Sequence, residues 1–163
     1  MDTTKITYPY LPEGREILYV PDDNSFMAQA KSVCHTMGTE KQHPTGAVVV
    51  KNGQILGQAA NMAGYTHAFL NNWHKKWMCV RRWFKIPSGQ KYWMCPGCAT
   101  NKNHAETRSV LEAIRVHGKE AVKDADVYLF GHWWCCKPCW DAMIEGGIKN
   151  VYLPESAKTG FRR

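Results

Sequence analysis

The segments His-Ala-Glu at residues 104–106 and Cys-Lys-Pro-Cys at residues 136–139 decide how this chain folds and what it binds. Together they supply one imidazole, two thiols and one carboxylate. A catalytic zinc site needs three such nitrogen or sulfur ligands and a fourth position left for water, and a nearby carboxylate can then move protons. The spacing therefore predicts a zinc ion held by His104, Cys136 and Cys139, with Glu106 as the catalytic acid and base.

Each segment stands at the start of a predicted helix. The first helix is expected over 104–117, with Val110, Leu111 and Ile114 facing inward, and the second over 136–147. The N-terminus of a helix carries partial positive charge, which lowers the pKa of a thiol placed there. Because both helices follow strands of one sheet, we expect their N-termini to converge.

The remaining elements predict a layered α/β sheet. A helix is expected from Asn24 or Ser25 to Gly38, and Asn52-Gly53 is a strong hairpin signal between two strands. Residues 1–23 are expected to be an irregular lead-in. The last two strands are joined through a helix, so they should be parallel, with a right-handed crossover. The predicted strands are 46–51, 54–59, 127–130 and 150–153.

Two alternatives concern the ligand segments themselves. Asn103 and Glu106 have the spacing of a capping box, an ordinary helix start without chemistry. Cys135 precedes Cys136, and a Cys135–Cys139 pair would also lie on one helix face. The tighter Cys-x-x-Cys spacing is the commoner chelate, so Cys136 and Cys139 are preferred and Cys135 is assigned to packing.

Residues 62–102 form an unusual stretch that contains four of the seven Trp and three of the seven Cys. Its periodicity is poor, which predicts an ordered insertion with one short helix, because a long structureless loop inside a compact domain is rare. Cys79, Cys95 and Cys98 could hold a second, structural zinc. Its fourth ligand is left open among His35, His43, His67 and His74.

Composition limits the class of protein. The chain has 163 residues, 44% of them hydrophobic, which fits one domain with a full core. No apolar run is long enough to span a bilayer, and the N-terminal residues do not resemble a secretory signal. Seven cysteines without export features favour metal-bound thiolates in a reducing compartment. We therefore expect a cytoplasmic protein without a membrane partner.

The formal net charge of +7 favours an anionic partner, either a nucleotide phosphate or a polynucleotide. Basic and aromatic residues alternate at 75–77 and 81–85. This pattern suits stacked bases and phosphates, but it is also compatible with the ordinary surface of the insertion. Arg81 and Arg82 are kept as candidate phosphate contacts.

From Phe26 to Leu153 the chain resembles the cytidine/deoxycytidylate deaminase superfamily. The resemblance rests on Pro44–Val50, Asn61, the two ligand segments and Met143–Lys149. Further motifs resemble the insertion of bacterial and phage deoxycytidylate deaminases, namely Cys79-Val-Arg-Arg, Ile86-Pro-Ser-Gly89, Tyr92 and Cys95. The chain departs from the family pattern at Cys135, Thr107-Arg108 and Trp133-Trp134.

This resemblance implies a three-layer α/β/α fold with a mixed sheet and an inserted Cys/Trp-rich segment, as a single domain over 1–163. It implies zinc-dependent hydrolysis of dCMP to dUMP and ammonia by a homo-oligomer. The Ala105 N–H would hold the base carbonyl, Asn61 the sugar, and the Trp134 carbonyl the amino group.

Two other functions are considered. A deaminase acting on a base within DNA or RNA, such as a tRNA adenosine or a single-stranded cytosine, also suits the charge and the tryptophans. A zinc-ribbon binding module would pair Cys95 and Cys98 with Cys136 and Cys139. That pairing leaves His104 and Glu106 without a role, and the sequence separation between the two cysteine pairs is longer than is usual for a zinc ribbon.

Overall fold

The computed structural model describes residues 9–40, 42–65, 67–87 and 90–160. The first eight residues of the expected lead-in, and Ser88 and Gly89 of the insertion motif, lie outside the described residues. Five strands form one mixed sheet in the order β1-β5-β4-β2-β3. The strands are β1 Ile17–Val20, β2 Gly46–Lys51, β3 Gln54–Ala60, β4 Asp126–Phe130 and β5 Asn150–Pro154.

Helices cover both faces of this sheet. Short 3₁₀ turns at Tyr92–Met94 and Asn101–Asn103 complete the insertion. Within the described residues, no helix has the length and apolar character required to cross a bilayer. The helices are α1 Ser25–Met37, α2 Ala68–Lys76, α3 Val80–Trp83, α4 Ala105–His117, α5 Lys119–Val122, α6 Lys137–Glu145 and α7 Ala157–Gly160.

Local signals in the sequence placed the central elements correctly. The Asn24 side chain accepts hydrogen bonds from the backbone N–H groups of Phe26 and Met27, at 3.0 and 3.2 Å, and so caps α1. Asn52 and Gly53 have φ angles of 51° and 77°, the positive values that a tight two-residue hairpin needs. Strands β4 and β5 are parallel, as the helical connection between them predicted.

The lead-in is only partly irregular, which corrects the expectation for residues 1–23. Residues 17–20 form β1, which pairs in parallel with β5 so that Ile17 lies opposite Val151. Four residues between proline- and glycine-rich turns give little local signal. The strand forms because the edge of β5, far away in the sequence, offers unpaired backbone groups.

The three-layer α/β/α arrangement is confirmed. On one face, Ala30 and Val33 of α1 pack against Val48 and Val50 of β2. On the other face, residues of α4 and α6, including Val110 and Met143, pack against β2, β4 and β5. The ends of α4 and α6 that carry the predicted ligands therefore lie on the same side of the sheet.

The predicted inward face of α4 needs one correction. Leu111 is 55% exposed, whereas Glu106, Ser109, Val110 and Ala113 are buried. These four positions follow the i, i+3, i+4, i+7 pattern of one helix face. Because Leu111 is apolar, the sequence predicted that it would face inward. The buried face of α4 is formed by smaller and polar side chains instead.

The described part of residues 62–102 contains two short helices, α2 and α3, rather than the one expected. Cys79, Cys95 and Cys98 form a small buried cluster of their own, with Val80 and Tyr92 packed against it. The insertion thus has a second, separate core made largely of thiols.

Candidate active site and metal centres

The first ligand group brings together His104, Cys136 and Cys139. His104 Nδ1 lies 3.3 Å from Cys139 Sγ and 3.6 Å from Cys136 Sγ, and the two sulfurs are 3.4 Å apart. Tetrahedral zinc with ordinary bond lengths separates two sulfurs by about 3.8 Å, and sulfur from nitrogen by about 3.6 Å. The three atoms therefore have nearly the spacing that zinc requires.

Two helix starts create this arrangement. His104 is the N-cap of α4 and Cys136 is the N-cap of α6, with Pro138 in the first turn of α6. An N-cap residue has extended backbone and projects from the helix end. The hydrogen bond with Cys139 lowers the pKa of Cys136 to about 5, which favours the thiolate form that a metal ion requires.

The capping-box alternative does not describe this helix start. Asn103 belongs to a 3₁₀ turn, and the N-cap is His104, whose side chain makes no capping hydrogen bond. Thr107, in the first turn of α4, instead directs its hydroxyl to Cys139 Sγ at 3.6 Å. This supporting contact was not anticipated, although the i, i+3 spacing from His104 would have indicated it.

Glu106 is buried in the first turn of α4, only 5% exposed. Burial raises the pKa of its carboxyl group, and the neighbouring His104 opposes that effect. Cys135 is also fully buried, and burial beside the Glu106 carboxylate raises the pKa of its thiol well above the usual range. Cys135 is not part of the ligand group.

The predicted substrate-contact residues are Ala105, Asn61 and Trp134, and all three are buried. Ala105 is fully buried as the first residue of α4, where a backbone N–H has no partner within the helix. Asn61 is buried, with its Oδ1 accepting from the Thr45 N–H at 2.9 Å and its Nδ2 donating to the His43 carbonyl at 2.7 Å. Trp134 is buried beside His132, with ring centroids 5.3 Å apart.

The second ligand group joins His74 to Cys79, Cys95 and Cys98, all four buried and with ligand atoms within 4.8 Å of one another. His74 Nδ1 lies 3.1 Å from Cys95 Sγ, and the sulfurs of Cys79 and Cys98 are 3.4 Å apart. Of the four histidines left open by the sequence, His74 is the one found here. Three sulfurs and one imidazole form a complete tetrahedral set.

The two Cys-x-x-Cys pairs therefore belong to different groups. Cys95 and Cys98 lie with His74, while Cys136 and Cys139 lie with His104. The zinc-ribbon alternative, which joined the two pairs around one ion, is wrong. Cys34 belongs to neither group and is buried in α1.

Glu40 is a functional candidate that sequence reasoning missed. It is buried, with Oε1 3.3 Å from His74 Nε2. Burial alone would raise the pKa of Glu40, but hydrogen bonds from His74 and from the backbone N–H groups of Gln42 and His43 lower it. A carboxylate on the far nitrogen of a metal-ligating histidine is a common supporting arrangement. Nothing in the local sequence indicates it.

Arg81 is committed to the interior of the insertion, so the structure does not support its assignment as a phosphate contact. Its guanidinium donates to the carbonyls of Gln90 and Pro87, at 2.9 and 2.8 Å, and to Cys98 Sγ at 3.7 Å. It also lies over the Tyr92 ring, 3.9 Å from the centroid. Arg82, by contrast, is exposed.

Comparison with protein families gives one match that covers most of the chain. Residues 20–155 match the cytidine and deoxycytidylate deaminase zinc-binding region. The chain belongs to this family, and it is a zinc-dependent deaminase. A search of curated proteins found no match.

Several solved deaminase structures are similar in fold. A dCMP deaminase from the cyanophage S-TIM5, in complex with dCMP and dUMP, is 20% identical, with 82% of this chain and 84% of that chain covered and a TM-score of 0.49. A tRNA:A34 deaminase is 20% identical, with 80% of this chain and 75% of that chain covered and a TM-score of 0.48. A guanine deaminase from Bacillus subtilis is 20% identical, with 85% of this chain and 70% of that chain covered and a TM-score of 0.46.

Proposed function

We propose that this protein hydrolyses dCMP to dUMP and ammonia, as a cytoplasmic homo-oligomer with one catalytic and one structural zinc. The observation that carries the proposal is the contrast between the two ligand groups. Among the described residues, the His104 group has three members and the His74 group has four. Catalytic zinc sites keep one coordination position open, whereas structural sites are closed.

In this proposal His104, Cys136 and Cys139 hold the catalytic zinc. When bound, zinc supplies the positive charge that makes water acidic enough to attack near neutral pH. Glu106 accepts a proton from the attacking water and delivers it to ring N3, while the water oxygen bonds to C4. Glu106 then transfers the second proton to the amino group as the C4–N bond breaks, so that ammonia leaves and a C4 carbonyl remains.

The raised pKa of Glu106 suits this role. A buried carboxyl exchanges protons with a weakly acidic partner near neutral pH more readily than an exposed one. The Ala105 N–H, at the positive end of α4, is proposed to hold the base carbonyl. Asn61 is proposed to contact the sugar through its remaining hydrogen-bonding capacity, and the Trp134 carbonyl to accept from the substrate amino group.

The choice of dCMP rests on the insertion motifs, which resemble those of deoxycytidylate deaminases. With Arg81 engaged by Cys98 and backbone carbonyls, the exposed Arg82 is the better candidate for the 5′-phosphate. A cationic side chain on the insertion would favour the monophosphate over the free nucleoside.

The test is ammonia release by zinc-loaded protein across dCMP, dCTP, cytidine, AMP and guanine, with zinc content measured on the same sample. We expect turnover of dCMP with the highest kcat/KM. Turnover of AMP or guanine but not of dCMP would overturn the proposed substrate. Absence of turnover on every substrate by protein that carries two zinc ions per chain would contradict the proposal as a whole.

A second candidate function is deamination of a base within DNA or RNA. It is favoured by the exposed aromatic side chains of the insertion, which include Trp77, Trp83 and Trp93, because an unpaired base needs stacking partners. Single-stranded DNA containing cytosine, and a tRNA, are the discriminating substrates in the same ammonia assay.

A further inference from the structure

The charge of this protein is concentrated in one segment. Residues 62–102 contain seven Lys and Arg residues and no Asp or Glu. The rest of the chain has the other fourteen of the 21 basic residues and all 14 acidic ones, so it is formally neutral. The whole net charge of +7 therefore belongs to the insertion, where no cation has an acidic neighbour in the segment.

Exposed aromatic side chains are concentrated in the same segment. Burying large apolar side chains is strongly favourable, so several of them left in water mark a binding surface. Trp77 and Trp93 are each 79% exposed, and neither side chain is part of the buried core. Among the residues that the structure describes, the large apolar side chains exposed by more than 60% are Tyr65, Phe69, Trp77, Trp83, Phe84 and Trp93.

Exposed cations and exposed rings are neighbours in the sequence of this segment. The exposed Lys76 is next to Trp77, and the exposed Arg82 and Lys85 flank Trp83 and Phe84. The rings of Trp83 and Phe84 are 5.6 Å apart, tilted by 35°. We call the exposed rings and cations of residues 65–102 the insertion surface.

The His74 ligand group forms the buried centre of the same segment. Cys79 joins α2 to α3, and Cys95 follows the turn that contains Trp93. These short connections leave the rings little freedom to fold back into a core of their own, because the buried centre of the insertion is occupied by ligand side chains. The rings are thus displayed on an ordered support.

We propose that the insertion surface binds single-stranded nucleic acid, with the cations contacting phosphates and the aromatic rings stacking on unpaired bases. Stacking on aromatic side chains along a basic groove is how proteins hold single strands with little sequence preference. The proposal does not depend on which nucleotide the zinc site deaminates. Since Tyr92 packs against His104, a strand on this surface would lie close to the candidate active site.

Two other occupants fit the observations less well. In a symmetric contact between two copies, the same surface meets itself, which would bring its exposed cations together with no acidic residue from either segment. A membrane surface is usually bound by a longer amphipathic helix, whereas α2 has nine residues and α3 has four.

The experiment measures binding of fluorescein-labelled dT20 and rU20 to the full-length zinc-loaded protein by anisotropy, over a series of KCl concentrations. We expect binding whose logarithmic affinity falls linearly with the logarithm of salt, by about 0.7 per phosphate contact. A duplex of the same length should bind more weakly, because its bases cannot stack on the rings. The two oligomers show whether DNA or RNA is preferred.

Two variants and two matched controls locate the site. Trp77→Ala should weaken binding about tenfold, and Lys76→Glu should weaken binding and reduce the salt slope. Leu111→Ala and Lys123→Glu, which change exposed residues outside the insertion, should leave binding unchanged. All four should retain zinc and the dCMP turnover of the unchanged protein.

Failure to bind either oligomer at low salt would overturn the proposal, as would equal losses in the insertion variants and the controls. It would also be overturned if sedimentation showed that Trp77→Ala dissolves an oligomer, or if only vesicles of anionic phospholipid bound. Because dCMP turnover is measured on the same samples, loss of nucleic-acid binding and loss of the proposed deamination are separate results.

Discussion

The ring of Tyr92 meets the ring of His104 edge to face, with centroids 5.1 Å apart. The Tyr92 ring is also in contact with the guanidinium of Arg81, which donates a hydrogen bond to Cys98 Sγ. A continuous series of side chains therefore connects the four-ligand group of the insertion to a ligand of the three-ligand group. A residue of the insertion, Tyr92, is therefore in direct contact with the predicted ligand His104.

Tyr92→Ala should weaken metal binding at the His104 group, because a supporting contact that fixes a ligating imidazole is worth about 10- to 100-fold in affinity. Tyr92→Phe, which keeps the ring edge, is the matched control and should bind metal normally. Cobalt substitution, with the visible absorption of the thiolate-bound ion, measures this directly. Identical cobalt affinity in Tyr92→Ala and the unchanged protein would show that the contact is only packing.

Glu40→Gln should weaken zinc binding at the His74 group by about 10- to 100-fold. The amide keeps the shape of the side chain but loses the charge that orients His74. Zinc release to a chromogenic chelator measures the effect, with Glu112→Gln, whose side chain is on the solvent-facing side of α4, as the control. If both variants released zinc at the same rate, Glu40 would have no special role.

Glu106→Gln should retain zinc and lose turnover by about 10²- to 10⁴-fold, the usual contribution of a positioned acid–base group. The measurement is kcat for dCMP together with zinc content. Glu145→Gln on α6 leaves the site untouched and serves as the control. Substantial activity in zinc-loaded Glu106→Gln protein would require another proton carrier.

Gly97→Ala should disrupt the His74 group first, because a side chain at this position would meet His74 and no ligand of the His104 group. A Cβ at this position would clash with Cγ and Cβ of His74, so the imidazole would have to move. We expect one zinc per chain instead of two, and a lower melting temperature, because bound metal stabilises the folded state. Retention of two zinc ions would contradict the proposed ligand set.

The sequence predicted those features that depend on neighbouring residues. The Asn24 cap and the Asn52-Gly53 hairpin depend on the local backbone, and the Cys-x-x-Cys pairs are local chelates. The features that it did not reveal depend on distant partners. Strand β1 needs the edge of β5, and the choice of His74 as fourth ligand depends on how α2 lies against Cys79 and Cys95.

The hydrophobic pattern of the sequence also did not predict which side chains are buried and which are exposed. Leu111 is apolar but exposed, while Glu40 and Arg81 are charged but buried. For the two charged residues a specific partner decides the outcome: Glu40 has His74, and Arg81 has two carbonyls, a thiol and a ring. Charged groups can be buried when they are paired.

The uneven distribution of charge makes this molecule electrically asymmetric, with a cationic end formed by the insertion and a remainder whose formal charges sum to zero. An approaching anion will rotate the protein during diffusional encounter, so that the cationic end arrives first. Because Tyr92 of the insertion lies beside His104, phosphate-bearing molecules will first contact the protein near the candidate active site. Capture should therefore be fast in dilute buffer and slow markedly as ionic strength rises.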